Sequence, residues 1–234
     1  MKPICLLTIC MFLFSISLFS QKKETVLIKS GTRVIDYFQP AERYLYPEFN
    51  AGKCTLTDGR TIPGKFNYNL LTGEMDFLKG KDTLALANKD KIQVIAVEKD
   101  TFYYQNYCLQ MVKSGRFKVL QYRRLDLTDI QKKGAMGTIN RSAASDSYDY
   151  YTSGANYYSS KSDADLVFQK IREFYFMIPG NTPLPFNKKN IFKALPHQEN
   201  MIKDYLKSNN IDFKSGNDLM KMADYLEKLL SEKL

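Results

Sequence analysis

Between Tyr44 and Leu127 the chain runs as short apolar-polar segments separated by turn residues, with no helical period between them. No other feature constrains the fold as much. Lys91 to Glu98 alternates strictly, with Ile92, Val94, Ala96 and Glu98 on one side and Gln93, Ile95 and Val97 on the other, a two-residue period that marks a strand. Lys53 to Thr57 runs into Asp58-Gly59, a strong hairpin signal, and Arg60 to Asn69 resumes with Ile62, Phe66 and Tyr68. Pro63 and Gly64 interrupt that run, so it is expected at a sheet edge or to carry a bulge. Further strands are expected around Met75 and Phe77, then over Thr83 to Leu86, Thr101 to Tyr104, Tyr107 to Val112 and Arg116 to Leu127. Strands at this spacing imply an antiparallel meander, either as an open sheet or as a partial barrel.

The composition then changes. From Gln131 to Ser162 the chain is rich in Ser, Gly, Ala, Asn and Tyr and nearly free of aliphatic residues, which is the composition of a long loop or linker. Leu166 to Ile178 predicts one long strand, with Leu184 to Phe186 pairing back after a turn at Gly180-Asn181-Thr182-Pro183. The remainder is helical: Asn187 caps Lys188 to Leu195, Pro196 opens His197 to Ser208, and Ser215 or Asn217 caps a last helix. In that helix Leu219, Met222, Ala223, Leu226, Leu229 and Leu230 share one stripe. The fold class is therefore α+β, a β-meander with a small C-terminal helical subdomain. Its parts are expected at 1–20 (leader), 21–130 (meander), 131–163 (loop), 164–187 (hairpin) and 188–234 (helices).

The leader expectation rests on Lys2, an apolar stretch from Ile4 to Phe19 and a small residue, Ser20, before Gln21. The stretch is shorter than the roughly 20 residues of a spanning helix, and its order is that of a secretory signal peptide. Leu7-Thr8-Ile9-Cys10 loosely fits a lipidation motif, but the apolar run continues well past Cys10. Export to the periplasm or the outer membrane is expected, with no integral span after signal removal. The formal charge of +9 falls to +8 without Lys2. A basic exported protein suits anionic glycans, lipid phosphates or an acidic partner, whereas the even scatter of Lys and Arg and the expected compartment disfavour nucleic acid. Past the leader the cysteines are Cys54 and Cys108, expected either as a disulfide or as two buried free thiols.

Few residues point to chemistry. His197 is the single histidine and has no nucleophile motif beside it. The two mature cysteines lack metal-ligand spacing, and neither GxGxxG nor GxxxxGK is present. No metal or cofactor is expected. Glu74 and Asp76 lie two apart and share a strand face. They could serve glycan chemistry as paired carboxylates, or they could be the solvated side of a strand whose Met75 and Phe77 face the core. Asp82-Thr83-Leu84 fits a three-residue O-glycosylation pattern. Tyrosines concentrate as Tyr148, Tyr150, Tyr151, Tyr157 and Tyr158 within the Ser/Gly/Asn-rich stretch, a mixture that adaptable binding loops use. Tyr103, Tyr104 and Tyr107 read as ordinary strand packing.

The stretch Phe66-Asn67-Tyr68-Asn69-Leu70-Leu71-Thr72-Gly73-Glu74-Met75-Asp76-Phe77-Leu78, with Asp82 to Ala87, resembles a family of uncharacterised exported proteins of Bacteroidota. Gly134-Ala135-Met136-Gly137, the Ser/Tyr-rich stretch and the tail from Ile202 to Phe213 are similar to it as well, although relatives often carry Tyr at the place of Met136. The resemblance implies a cell-envelope location and brings no activity with it. The function expected is a non-catalytic interaction module docking an envelope protein or glycan through the tyrosines. The alternatives are a carrier of a small apolar ligand and a glycan-acting enzyme using Glu74 and Asp76.

Overall fold

The computed structural model describes residues 24–133, 139–140 and 161–231. Among them, twelve strands form one antiparallel sheet: β1 (Thr25–Ile28), β2 (Asn50–Leu56), β3 (Thr61–Asn69), β4 (Glu74–Lys79), β5 (Asp82–Ala85), β6 (Ile92–Val97), β7 (Asp100–Tyr104), β8 (Cys108–Lys113), β9 (Lys118–Lys133), β10 (Ile139–Asn140), β11 (Asp165–Met177) and β12 (Leu184–Pro185). Ten of them follow the order β1-β11-β9-β8-β7-β6-β2-β3-β4-β5, with β10 added beside β9 and β12 beside β11. The helices are α1 (Val34–Tyr37), α2 (Pro40–Arg43), α3 (Lys188–Ala194), α4 (Glu199–Asn209) and α5 (Gly216–Ser231). The sheet is open, with β1 and β5 at its two ends.

Two meanders build it. β2 to β5 run outward strand by strand. The chain then returns across residues 86–91 to lay β6 on the other side of β2, from which β6 to β9 run outward again. In a flat sheet that return would cover four strand spacings, about 19 Å. The sheet instead rolls. The Tyr104 hydroxyl of β7 reaches the backbone N–H of Met75 in β4, accepting at 3.1 Å, and donates to the Glu74 carboxylate at 3.2 Å. Tyr68 of β3 likewise reaches the backbone of Arg123 in β9, and the Leu125 N–H donates to the Leu71 carbonyl at 3.1 Å. That last bond is available because β8 pairs with β9 only through Val119, Leu120 and Gln121, which frees the edge beyond. Gly73, at φ +72°, lets the β3–β4 turn approach that edge: a Cβ there would stand 2.6 Å from the Tyr122 ring.

Local differences from the sequence expectation have local causes. In β6 the core face is Ile95 and Val97, with Ile92 joining them. A bulge between Thr55 and Leu56 of β2 shifts the register at that point and lets residues of opposite parity share a face. Pro63 is on the edge side expected of it: β4 pairs only with Phe66 to Asn69, so the outer side of Thr61–Lys65 lacks a ladder. Cys54 and Cys108 are buried free thiols and not a bridge. They sit on β2 and β8 with β6 and β7 between, about 14 Å along the sheet, beyond the roughly 7 Å that a disulfide spans.

The interior of the roll is filled by Phe66, Tyr68, Met75, Ile95, Phe102 and Cys108. The segment entering β2 is fixed to it by Asn67, 1% exposed. The Asn67 amide donates to the Tyr46 and Glu48 carbonyls at 2.9 and 3.0 Å, and its oxygen accepts from the Tyr46 N–H at 3.1 Å. β9 and β11 pair along their length from Met177↔Lys118 to Asp165↔Gln131 and carry two further cores. At one end Ile28, Val34, Phe38, Leu71, Leu127 and Phe168 pack together. At the other, α3 to α5 dock through Ile191, Ile202, Leu219, Met222 and Leu226 against Phe117, Val119 and Phe176.

The helix ends follow the sequence closely. The Asn187 side chain accepts from the Asn190 N–H at 2.9 Å, and Ser215 Oγ accepts from the Asp218 N–H at 3.3 Å. Asn210 ends α4 at φ +47°. Helices of this length are marginal alone. Each of Leu219, Met222 and Leu226 is at most 2% exposed and contributes about 1.5–3 kcal/mol by burial, so docking is what holds them.

Candidate functional site

The inner face of the β9–β11 ribbon is the side that carries both the roll and the helices. Val119, Gln121, Arg123 and Leu125 of β9 lie on it, opposite Phe176, Phe174, Arg172 and Lys170 of β11. Its two ends are apolar and buried; its middle is not. Arg123 and Arg172 are direct cross-strand partners, which puts their Cβ atoms roughly 4.5–5.5 Å apart on one face. Like charges so placed repel.

Arg123 is half-buried. One of its terminal nitrogens donates to Gln110 Oε1 at 2.6 Å, and its guanidinium carbon lies 6.0 Å from the centroid of the Tyr68 ring. Its buried Nε has no hydrogen-bond partner. Gln110 in turn donates to Asp100 Oδ1 at 3.1 Å, and the Tyr46 hydroxyl donates to Asp100 Oδ2 at 2.6 Å. Burial, with the Arg172 charge adding to it, lowers the Arg123 pKa against the opposing pull of Tyr68, Asp100 and Tyr46. No ion pair reaches Arg123 or Arg172 among the described residues. Arg172 is exposed, so solvent reaches the pair from the β11 side. Nothing in the one-dimensional pattern of Gln121 to Leu125 singled out this pair, because its meaning depends on which β11 residue stands opposite.

The outer face of the same strands is aromatic. Tyr107 packs on Tyr122 at 4.6 Å and near Tyr175 at 6.2 Å. Tyr103, Met111 and Met177 are partly buried around Leu109 and Leu120. Tyr107 itself is 40% exposed.

The residues singled out by sequence fall in different places. Tyr148, Tyr150, Tyr151, Tyr157 and Tyr158 lie outside the described residues. Glu74 and Asp76 are not the solvated side of their strand. Asp76 is 7% exposed and accepts from the Tyr44 hydroxyl at 3.1 Å and from Asn69 Nδ2 at 2.9 Å. Burial raises its pKa, with the neighbouring Glu74 charge adding to it, against the lowering by Asn69, Tyr44 and Lys89. The same burial, helped by the Asp76 charge, pushes the Tyr44 hydroxyl up to about 12. Glu74 pairs with Lys89 at 2.8 Å and accepts from Tyr104. Both carboxylates are thus covered because the rolled sheet brings the Tyr44 segment and the β5–β6 return over them. His197 is exposed in the turn Pro196–Gln198. Asp82, Thr83 and Leu84 are exposed on the edge strand β5.

Among the described residues, no group of three His, Cys, Asp or Glu side chains is placed to hold a metal, and no helix is long and apolar enough to cross a membrane. The surface carries shallow grooves, one of about 360 Å³ lined by Lys188, Lys203, Leu206, Lys207, Ile211 and Phe213. The chain matches no protein-family model, no curated protein and no solved structure.

Proposed function

We propose that this is an exported cell-envelope protein of the periplasm or outer membrane that works as a non-catalytic interaction module, using its tyrosine-rich stretch to dock an envelope protein or glycan. The observation that carries this reading is where that stretch is attached. Tyr148, Tyr150, Tyr151, Tyr157 and Tyr158 fall between β10 and β11 in the chain, and β9 and β11 are paired over thirteen residues of β11. Binding residues are commonly carried on connections held by a rigid scaffold, and Tyr, Ser, Gly and Asn give contact area and hydrogen bonds at low entropic cost. The apolar leader and the likeness to exported Bacteroidota proteins support the location.

The apolar-carrier reading is weakened by the filled interior of the roll, where Tyr68, Met75, Ile95 and Phe102 are all 0% exposed. The glycan-enzyme reading is weakened because Glu74 and Asp76 already hold Lys89, Tyr104, Tyr44 and Asn69.

The test replaces Tyr150, Tyr151, Tyr157 and Tyr158 together by Ser and compares cross-linked partner capture in intact cells with the Tm of the purified protein. Capture should fall while Tm holds. Loss of both together, or retention of capture, would reject the reading.

A further inference from the structure

Opposed arginines in the middle of a face that is otherwise apolar at both ends need a reason. A sheet face between two cores is normally filled by apolar or neutral side chains, and like charges directly opposite are destabilising. Here Arg123 and Arg172 stand opposite each other, with Lys170 next on the same strand face. Neither arginine has a carboxylate partner among the described residues. Asp100, the acid on the nearby roll, is engaged by Gln110 and Tyr46 instead. Arg123 is further held in place by Gln110 and the Tyr68 ring while its buried Nε stays unpaired. A guanidinium presents its donors as a planar fork suited to oxyanions. An anion bound beside both guanidinium groups would offset the repulsion between them.

We propose that the middle of the inner face of the β9–β11 ribbon binds a phosphate group between the cross-strand partners Arg123 and Arg172. Phosphate is favoured over carboxylate because two adjacent positive charges match a dianion, whereas a single carboxylate leaves one of them uncompensated. Gln121, opposite Phe174 on the same face, supplies a neutral hydrogen-bonding neighbour. The ligand is either free phosphate or a phosphate ester such as a lipid or glycan phosphate. This site is separate from the tyrosine-rich stretch, and its failure would leave the docking role untouched.

The test uses the full mature chain at constant ionic strength, with sodium phosphate, glycerol phosphate or acetate replacing chloride. Tm and the Arg Nε–Hε resonance of Arg123 are followed together. Phosphate should raise Tm and shift that resonance, and R172Q should bind about tenfold more weakly or worse. In chloride alone R172Q should melt no lower than the wild type, since it removes a repulsion and Arg172 is exposed. A larger response to glycerol phosphate assigns the site to esters, and an equal one to the free anion. No phosphate response beyond chloride, an equal response to acetate, or an undiminished response in R172Q would each overturn the proposal. R123Q is the second variant, read by Tm alone: loss of the phosphate-induced rise in Tm in a still-folded protein agrees with the proposal, and its retention contradicts it.

Discussion

The Tyr68 hydroxyl donates to the Arg123 carbonyl at 2.8 Å and accepts from the Arg123 N–H at 3.3 Å, although β3 and β9 are five strand spacings apart in the order of the sheet. In a flat sheet that separation would be about 24 Å. One side chain, 0% exposed, therefore clasps the roll by pairing both backbone groups of a single residue. Tyr68→Phe keeps the ring stacked on Phe102, at 5.4 Å, and removes only the clasp. It should lower stability by about 1–3 kcal/mol through the unpaired N–H and C=O of Arg123, read as a lower urea midpoint with an unchanged slope.

Asp76 should give an acid-side signature opposite to that of most carboxylates. Its folded-state pKa is raised above the ordinary 3.8, so the folded protein holds its proton more tightly than the unfolded chain. Its contribution to stability is fully present below that ordinary value and is lost as pH rises through the raised one. Asp76→Asn does not titrate. The stability of the variant relative to wild type should therefore improve on going from acid to neutral pH, measured by urea melts of both proteins. A difference independent of pH would contradict the burial argument.

Glu227 ties α5 to the turn before β9. Its two oxygens accept from the N–H groups of Arg116 at 3.0 Å and Phe117 at 2.7 Å. Burial pushes its pKa up, but those donors, with Lys113 and Arg116, outweigh it and hold the group below its ordinary value. The stabilisation is thus present above the ordinary glutamate range and lost as pH falls through the depressed value. Glu227→Gln should cost about 1–2 kcal/mol near neutral pH and less in acid. Gly115→Ala should act on the same tie, since a Cβ there would stand 2.5 Å from Glu227 Oε2 at a backbone φ of +137°. Helix content by circular dichroism and thermal melts check both.

Cys54 and Cys108 should behave as inert thiols. Burial raises the pKa of both, that of Cys108 strongly and with the Glu74 charge adding to it, so little thiolate is present to react. Reductant should leave Tm unchanged, and the intact mass should lack the loss of two hydrogens that a bridge would give. Thiol reagents should modify the native protein slowly and the urea-unfolded protein fast.

Much of the architecture was legible because its causes are local. Asp58-Gly59 turns the β2–β3 hairpin with Gly59 at φ +85°. Asn187 and Ser215 cap helices with the hydrogen bonds their side chains allow, and Leu219, Met222, Ala223, Leu226 and Leu229 bury one face at a helical period. The order of the strands was less legible. Consecutive strands usually pair, and most here do. The placement of β6 against β2, however, and of β1 against β11, joins segments far apart in the chain, and nothing in Ile92–Val97 or Thr25–Ile28 names its partner. The short helix α1 was missed for the same reason: Val34 and Phe38 are fixed by the core they join, not by a periodic pattern of their own. α2 buries nothing and has only a local signal, Pro40 in its first turn with Glu42 accepting from the Gln39 N–H.

Candidate sites divide along the same line. The tyrosines from Tyr148 to Tyr158 stand out by composition, which one dimension contains. The Arg123–Arg172 opposition and the Tyr46–Asp100–Gln110–Arg123 chain of hydrogen bonds arise from register and roll, which it does not. The solvated reading of Asp76 failed because alternation along a strand assigns a residue to a face but is blind to what later covers that face.

By itself, then, the sequence determined most of the strands and the three C-terminal helices, where most of them turn or end, and that strand-rich and helical parts follow one another, because propensity, capping and periodicity act over a few residues. Only the tertiary structure decided that the sheet stays open yet rolls until Tyr68 meets Arg123, that two thiols remain apart, and that two arginines become cross-strand partners between two cores. Those outcomes depend on pairings between residues distant in the chain, where one register out of many wins by the total apolar surface it buries and the backbone groups it satisfies.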